Sequence, residues 1–211
     1  MTYKLDMKRV VLLSVFCVML SICRIWLTDS YEYAFMTWNL FLALAPFVIS
    51  YFVASYEALY PKLLVGLCFL TWLVFYPNGP YLITDLIHLR DHRKGPLLWF
   101  DLILFFSYAY VGLLLAVDSA KHIHEVMARY IYKRLTYVIM SMFFFAVAFG
   151  VYLGRFMRWN SWDLFYRPLD IFGDLADCVL NPTDNAKAYL MTIFFGLMLN
   201  IVYFSQDPVK K

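Results

Sequence analysis

The sequence predicts an all-α, polytopic transmembrane helix bundle of about six spans, the third broken at a Pro-Asn-Gly-Pro turn. Three observations predict it. The 211 residues are 63% hydrophobic and only 16% charged, more apolar material than a soluble domain of this size uses. The apolar residues gather into long runs joined by polar links, the pattern of membrane-crossing helices. Aromatics make up 20% of the chain, and Trp and Tyr favour the two membrane interfaces. The net charge of +3 carries no nucleic-acid footprint. Cys17, Cys23, Cys68 and Cys178 form no C-x-x-C pair, which argues against a thiol redox centre, a zinc–thiolate site and a disulfide framework.

The elements follow in order as one multi-pass membrane domain over 1–211. The first span covers 10–27 behind Lys4, Lys8 and Arg9. Leu20-Ser21-Ile22-Cys23-Arg24 lacks the small residues of a signal-peptide cleavage site, so this span is expected to be retained. The second covers 34–55, with Pro46 as a kink. The third, 63–76, is about 20 Å long at 1.5 Å per residue, short of a ~30 Å hydrocarbon core. It stops at Pro77-Asn78-Gly79-Pro80, where two prolines lack an N–H and Asn-Gly favours a turn. A short re-entrant or interfacial helix, 81–90, then restarts near Leu82. The fourth span covers 97–117. Residues 118–134 form an amphipathic cytoplasmic connector, expected to lie on the membrane surface with His122 and His124 solvated. The fifth span is 135–153, and the sixth is 188–204. With the N-terminus inside, ten basic residues fall inside and seven outside, so the positive-inside rule puts both termini in the cytoplasm. Loops 77–96 and 154–187 then both face outward.

Ionisable groups gather toward that outer level: Arg24, Asp85, His88, Asp101, Arg155 and Arg158. A charge in hydrocarbon is costly unless paired, so an Arg24–Asp101 or Asp101–Arg155 ion pair is expected. On a helix, Asp85, His88 and His92 fall at i, i+3 and i+7 and offer a weak D-x-x-H-x-x-x-H site for a divalent cation. Asp85, His88 and Asp101 are the candidate catalytic groups, with His88 a base oriented by Asp85. Arg155 and Arg158 suit a phosphate, and Asn78, Asn160 and Asp163 stand beside them as candidate substrate contacts.

Phe75-Tyr76-Pro77-Asn78-Gly79-Pro80-Tyr81-Leu82-Ile83-Thr84-Asp85-Leu86-Ile87-His88-Leu89 resembles the signature of a family of prokaryotic integral membrane proteins, domain of unknown function 1361. Trp99-Phe100-Asp101 and the segment Leu153-Gly154-Arg155-Phe156-Met157-Arg158-Trp159-Asn160-Ser161-Trp162-Asp163 resemble its other recurring segments. Gly79 stands where the family suggests a small residue such as Ala. The resemblance implies a polytopic protein of prokaryotic plasma membrane. Membrane lipids are the expected partners of such a chain. It carries over no activity, cofactor or protein partner. The residues leave three functions open. One is an enzyme or ligand-binding site for a phosphate-bearing or lipid-linked substrate. The second is a structural or partner subunit without chemistry, and the third is a small transporter.

Overall fold

The structure, a computed structural model, describes residues 7–56, 61–90 and 96–206. These residues are helical, with no strand among them. Six segments are long and apolar enough to cross a membrane: Lys8–Thr28, Phe35–Tyr56, Lys62–Arg90, Leu98–Tyr130, Lys133–Phe156 and Ala186–Ser205. The chain divides into two compact units, Met1–His122 and Ile123–Lys211, where the sequence suggests one domain.

The first unit holds α1 (Met7–Thr28), α2 (Phe35–Tyr56), α3 (Lys62–Phe75), α4 (Asn78–Thr84), a 3₁₀ segment (Asp85–Arg90) and most of α5 (Leu98–Tyr130). Cys17, Met36, Phe47, Leu82, Leu104, Phe105 and Tyr108 are among its core residues. α1 ends at Asp29, whose φ of 50° is a left-handed conformation that Asp tolerates better than most side chains.

The Pro-Asn-Gly-Pro break interrupts hydrogen bonding more than direction. Tyr76 and Pro77 keep helical dihedrals (φ/ψ −55/−39° and −57/−21°). With no N–H on Pro80 to reach it, the Tyr76 carbonyl accepts instead from Gly79 N–H, at 3.2 Å. The Phe75 carbonyl accepts from the Asn78 side-chain amide at 2.8 Å. Asn78 thus repairs the junction, and the helix restarts there rather than at Leu82. α4 does not lie apart as a surface helix: Gly79, Pro80, Leu82 and Asp85 are buried. It packs on α5 through small residues. A Cβ on Gly112 would stand 2.5 Å from the Gly79 carbonyl oxygen.

α5 also departs from the expected pattern. It does not end at 117 but runs to Tyr130, so 118–130 is no separate surface connector. His122 and His124 are buried rather than solvated. An apolar stripe calls for an apolar cover, and packed protein supplies one as well as lipid does.

The second unit holds the end of α5, then α6 (Lys133–Phe156), α7 (Asp163–Tyr166), α8 (Pro168–Leu180) and α9 (Ala186–Ser205). α6 and α9 form an antiparallel pair. Tyr152 at the end of α6 packs with Ala188 at the start of α9, while Phe144 meets Tyr203 at 4.9 Å. Gly196 admits the Phe145 ring, which a Cβ would meet at 2.5 Å. α8 buries Ile171 and Cys178 and carries Asp170, Asp174 and Asp177 on another face, at helical spacing.

Candidate functional site

The first unit builds a polar layer from four elements. Arg24 on α1 meets Asp101 on α5 through two hydrogen bonds, Nε to Oδ1 at 2.5 Å and Nη2 to Oδ2 at 3.2 Å. This is the fork-to-carboxylate geometry that makes arginine pairs strong. The guanidinium also lies 5.2 Å from the centre of the Tyr33 ring, and Tyr33 stands edge-on to Phe105 at 4.9 Å. His88 also neighbours Phe105, ring centres 6.4 Å apart, and in turn meets Phe35 edge-on at 5.2 Å. Tyr108 completes the layer, its hydroxyl bonded to Ser21 (2.7 Å) and Thr37 (3.0 Å).

Asp85 and His88 sit on the 3₁₀ segment, not on an α-helix. At three residues per turn, i and i+3 eclipse, so the two side chains leave the same edge. Asp85 is fully buried and accepts a hydrogen bond from Asn39 Nδ2 at 3.0 Å, while His88 is half-buried. His92 lies outside the described residues, and among those described no three His, Cys, Asp or Glu side chains stand close enough together to hold a metal ion.

Deeper in this unit, Trp72 Nε1 donates to Ser119 Oγ at 2.8 Å. Ser119 Oγ is 3.1 Å from the Pro46 carbonyl and 3.0 Å from Ser50 Oγ, which lies 3.1 Å from His122 Nδ1. This clasp ties α2, α3 and α5 together. Neither it nor Asn39 was visible in the sequence, since a lone Ser or Asn in an apolar run says nothing about its partner.

In the second unit, α6 ends at an arginine-bearing turn. Trp159 N–H reaches back to the Leu153 carbonyl at 3.2 Å, and closing that turn puts Arg158 at φ 62°. Glycine takes this conformation freely, whereas a side chain pays about 1–2 kcal/mol. Arg158 is exposed and has no hydrogen-bond or ion-pair partner among the described residues. Arg155, one turn earlier, is half-buried. The other predicted contacts serve the turn itself. Asp163 Oδ2 accepts from Asn160 N–H (2.7 Å) and from its side-chain amide (3.2 Å). Trp159 is fixed by Asp174, at 2.7 Å from Nε1, and by the Arg167 guanidinium 5.0 Å from its ring centre.

A similar brace closes the α8–α9 corner. Hydrogen bonds from Asn185 (3.0 Å) and Asn181 (2.6 Å) hold the Asp177 carboxyl below its ordinary pKa. Burial pushes the neighbouring Cys178 thiol up.

A family model described as "Protein of unknown function (DUF1361)" matches residues 38–202. The chain belongs to that family. No curated protein and no solved structure matches it. In this DUF1361 protein the matched residues include Asn78, Asp85, His88, Asp101, Arg155, Arg158, Asn160 and Asp163; Arg24, the ion-pair partner of Asp101, precedes them.

Proposed function

We propose that this multi-pass membrane protein binds a phosphate-bearing ligand, either a lipid headgroup or a lipid-linked substrate, at the arginine end of α6. The observation that carries the reading is Arg158: an exposed guanidinium at a left-handed backbone position, with no hydrogen-bond or ion-pair partner among the described residues. Backbone strain persists where the surroundings over-determine it, and it gathers at binding sites. The guanidinium presents a planar fork of donors suited to phosphate, and Arg155 lies one turn before it. In this reading both termini are cytoplasmic, which the distribution of basic residues supports, and the membrane is the plasma membrane that the family resemblance implies. Arg158→Gly separates ligand from fold. It should stabilise the unliganded protein by about 1 kcal/mol and weaken its binding of short-chain phosphatidic acid about tenfold, the loss of one charge-assisted hydrogen bond. A glycine variant that binds as tightly as the parent in a detergent titration sinks the reading.

A second reading, a structural or partner subunit without chemistry, is favoured by the inward pairing of Arg24 with Asp101 and of Asn39 with Asp85. It expects Asp85→Ala and His88→Ala to lower the amount of protein in the membrane. Normal amounts of these variants together with the phenotype of the deletion would rule it out and bring forward catalysis at Asp85 and His88.

A further inference from the structure

We infer that the ligand at Arg158 is an anionic phospholipid whose acyl chain lies in a groove along α9 and whose headgroup is also held by Lys187. This inference rests on the reading of Arg158 given above. The groove has a volume of about 430 Å³ and is lined by Phe156, Lys187, Leu190, Phe194, Phe195 and Met198, with Met191 between. Apart from Phe156, these residues form one stripe of α9, at i, i+3, i+4, i+7, i+8 and i+11.

From Lys187 to Met198 the stripe rises about 16 Å at 1.5 Å per residue. That is about half of a ~30 Å hydrocarbon core, the depth of one leaflet. The lining is apolar except at one end, where Lys187 sits. Its Nζ stands 3.4 Å from the centre of the Phe156 ring, and no carboxylate lies within ion-pair distance of it among the described residues. Phe156 lies two residues before Arg158, so the ring that seats the ammonium belongs to the turn that presents the guanidinium. The nearby Asp177 carboxylate is engaged by Asn181 and Asn185. An apolar groove of one-leaflet length with a cation at one end is complementary to a lipid with a negative headgroup. A free soluble phosphate would leave the slot unused.

The test uses the full chain purified in detergent and offered equimolar dioleoyl phosphatidylglycerol and dioleoyl phosphatidylcholine, with bound lipid counted by native mass spectrometry. The expected result is retention of the glycerol lipid at least about fivefold over the choline lipid, the worth of one lysine at an anionic surface. Lys187→Gln, an exposed substitution that leaves the fold intact, should remove that preference. Dioctanoyl phosphatidylglycerol should be held more weakly than the dioleoyl form, because its tails leave much of the groove empty. Equal retention of the two headgroups, an unchanged preference in Lys187→Gln, or indifference to chain length each overturns the inference. Arg158→Gly run in parallel separates the claims. If it lowers phosphatidylglycerol retention while Lys187→Gln does not, phosphate binding at Arg158 stands and the groove fails. If Arg158→Gly changes nothing, the earlier reading fails on its own.

Discussion

Asp101→Ala should cost about 3–5 kcal/mol, the penalty for leaving one partner of a buried ion pair uncompensated. The Asp101 side chain is 3% exposed and that of Arg24 is 12% exposed, so water cannot replace the carboxylate without opening the layer. The alanine removes both hydrogen-bond acceptors and strands a guanidinium against the Tyr33 ring. Asp101→Asn should cost less, because the amide oxygen still accepts one hydrogen bond. The informative comparison is the double variant Arg24→Met, Asp101→Leu. Replacing a whole buried pair with apolar groups of similar volume is often neutral or stabilising, so the double variant should recover most of the loss. Equilibrium unfolding in mixed micelles, followed by tryptophan fluorescence, would give all three values. A loss below about 1 kcal/mol for Asp101→Ala, the range of exposed pairs, would mean that the pair is open to water. A double variant as unstable as Asp101→Ala would mean that the site holds Asp101 for something other than Arg24.

That pair was legible in the sequence because the constraint behind it is global. Two opposite charges inside apolar runs must find each other or another partner, and Arg24 with Asp101 was one of the two pairings expected. The six spans were legible for the same reason, since runs of apolar residues leave few alternatives in a bilayer. What the sequence hid depended on contacts that leave no local trace. Pro77 and Pro80 announced a break, but not that Asn78 would repair it and keep the chain helical. The stripe at 118–134 announced an apolar face, but periodicity does not distinguish a lipid surface from a protein core, and His122 and His124 turned out to be buried. Asp85 and His88 were placed on one face by α-helical spacing. They share an edge for a different reason, the three-residue turn of a 3₁₀ segment. The strain at Arg158 had no sequence signal beyond the absence of glycine at a helix end, where glycine is the common choice.

Gly112→Ala is expected to cost about 1–3 kcal/mol, the range for overpacking a well-packed site. The new Cβ would stand 2.5 Å from the Gly79 carbonyl oxygen, 2.7 Å from Leu82 Cδ1 and 2.9 Å from Leu82 Cβ. A leucine tip can rotate away, but a backbone carbonyl and a Cβ cannot, so α4 must move off α5. Alanine is the better helix former by about 0.8–1.0 kcal/mol, and the clash must exceed that gain before any loss appears. Gly66 provides the control, because it lies in α3 and nothing stands within 4 Å of a Cβ built there. Gly66→Ala should therefore stabilise by up to about 1 kcal/mol, the propensity gain alone. Gly79→Ala should fall between them: its Cβ would meet Ala116 Cβ at 3.1 Å and the Gly112 carbonyl oxygen at 3.2 Å, distances that a shift of a few tenths of an ångström relieves. The expected order of unfolding midpoints is Gly66→Ala above the parent, then Gly79→Ala, then Gly112→Ala. If Gly112→Ala matched Gly66→Ala, α4 would not be clamped on α5. The position of Asp85, one residue beyond the end of α4, would then have to be fixed by Asn39 and the 3₁₀ segment instead of by the helix crossing.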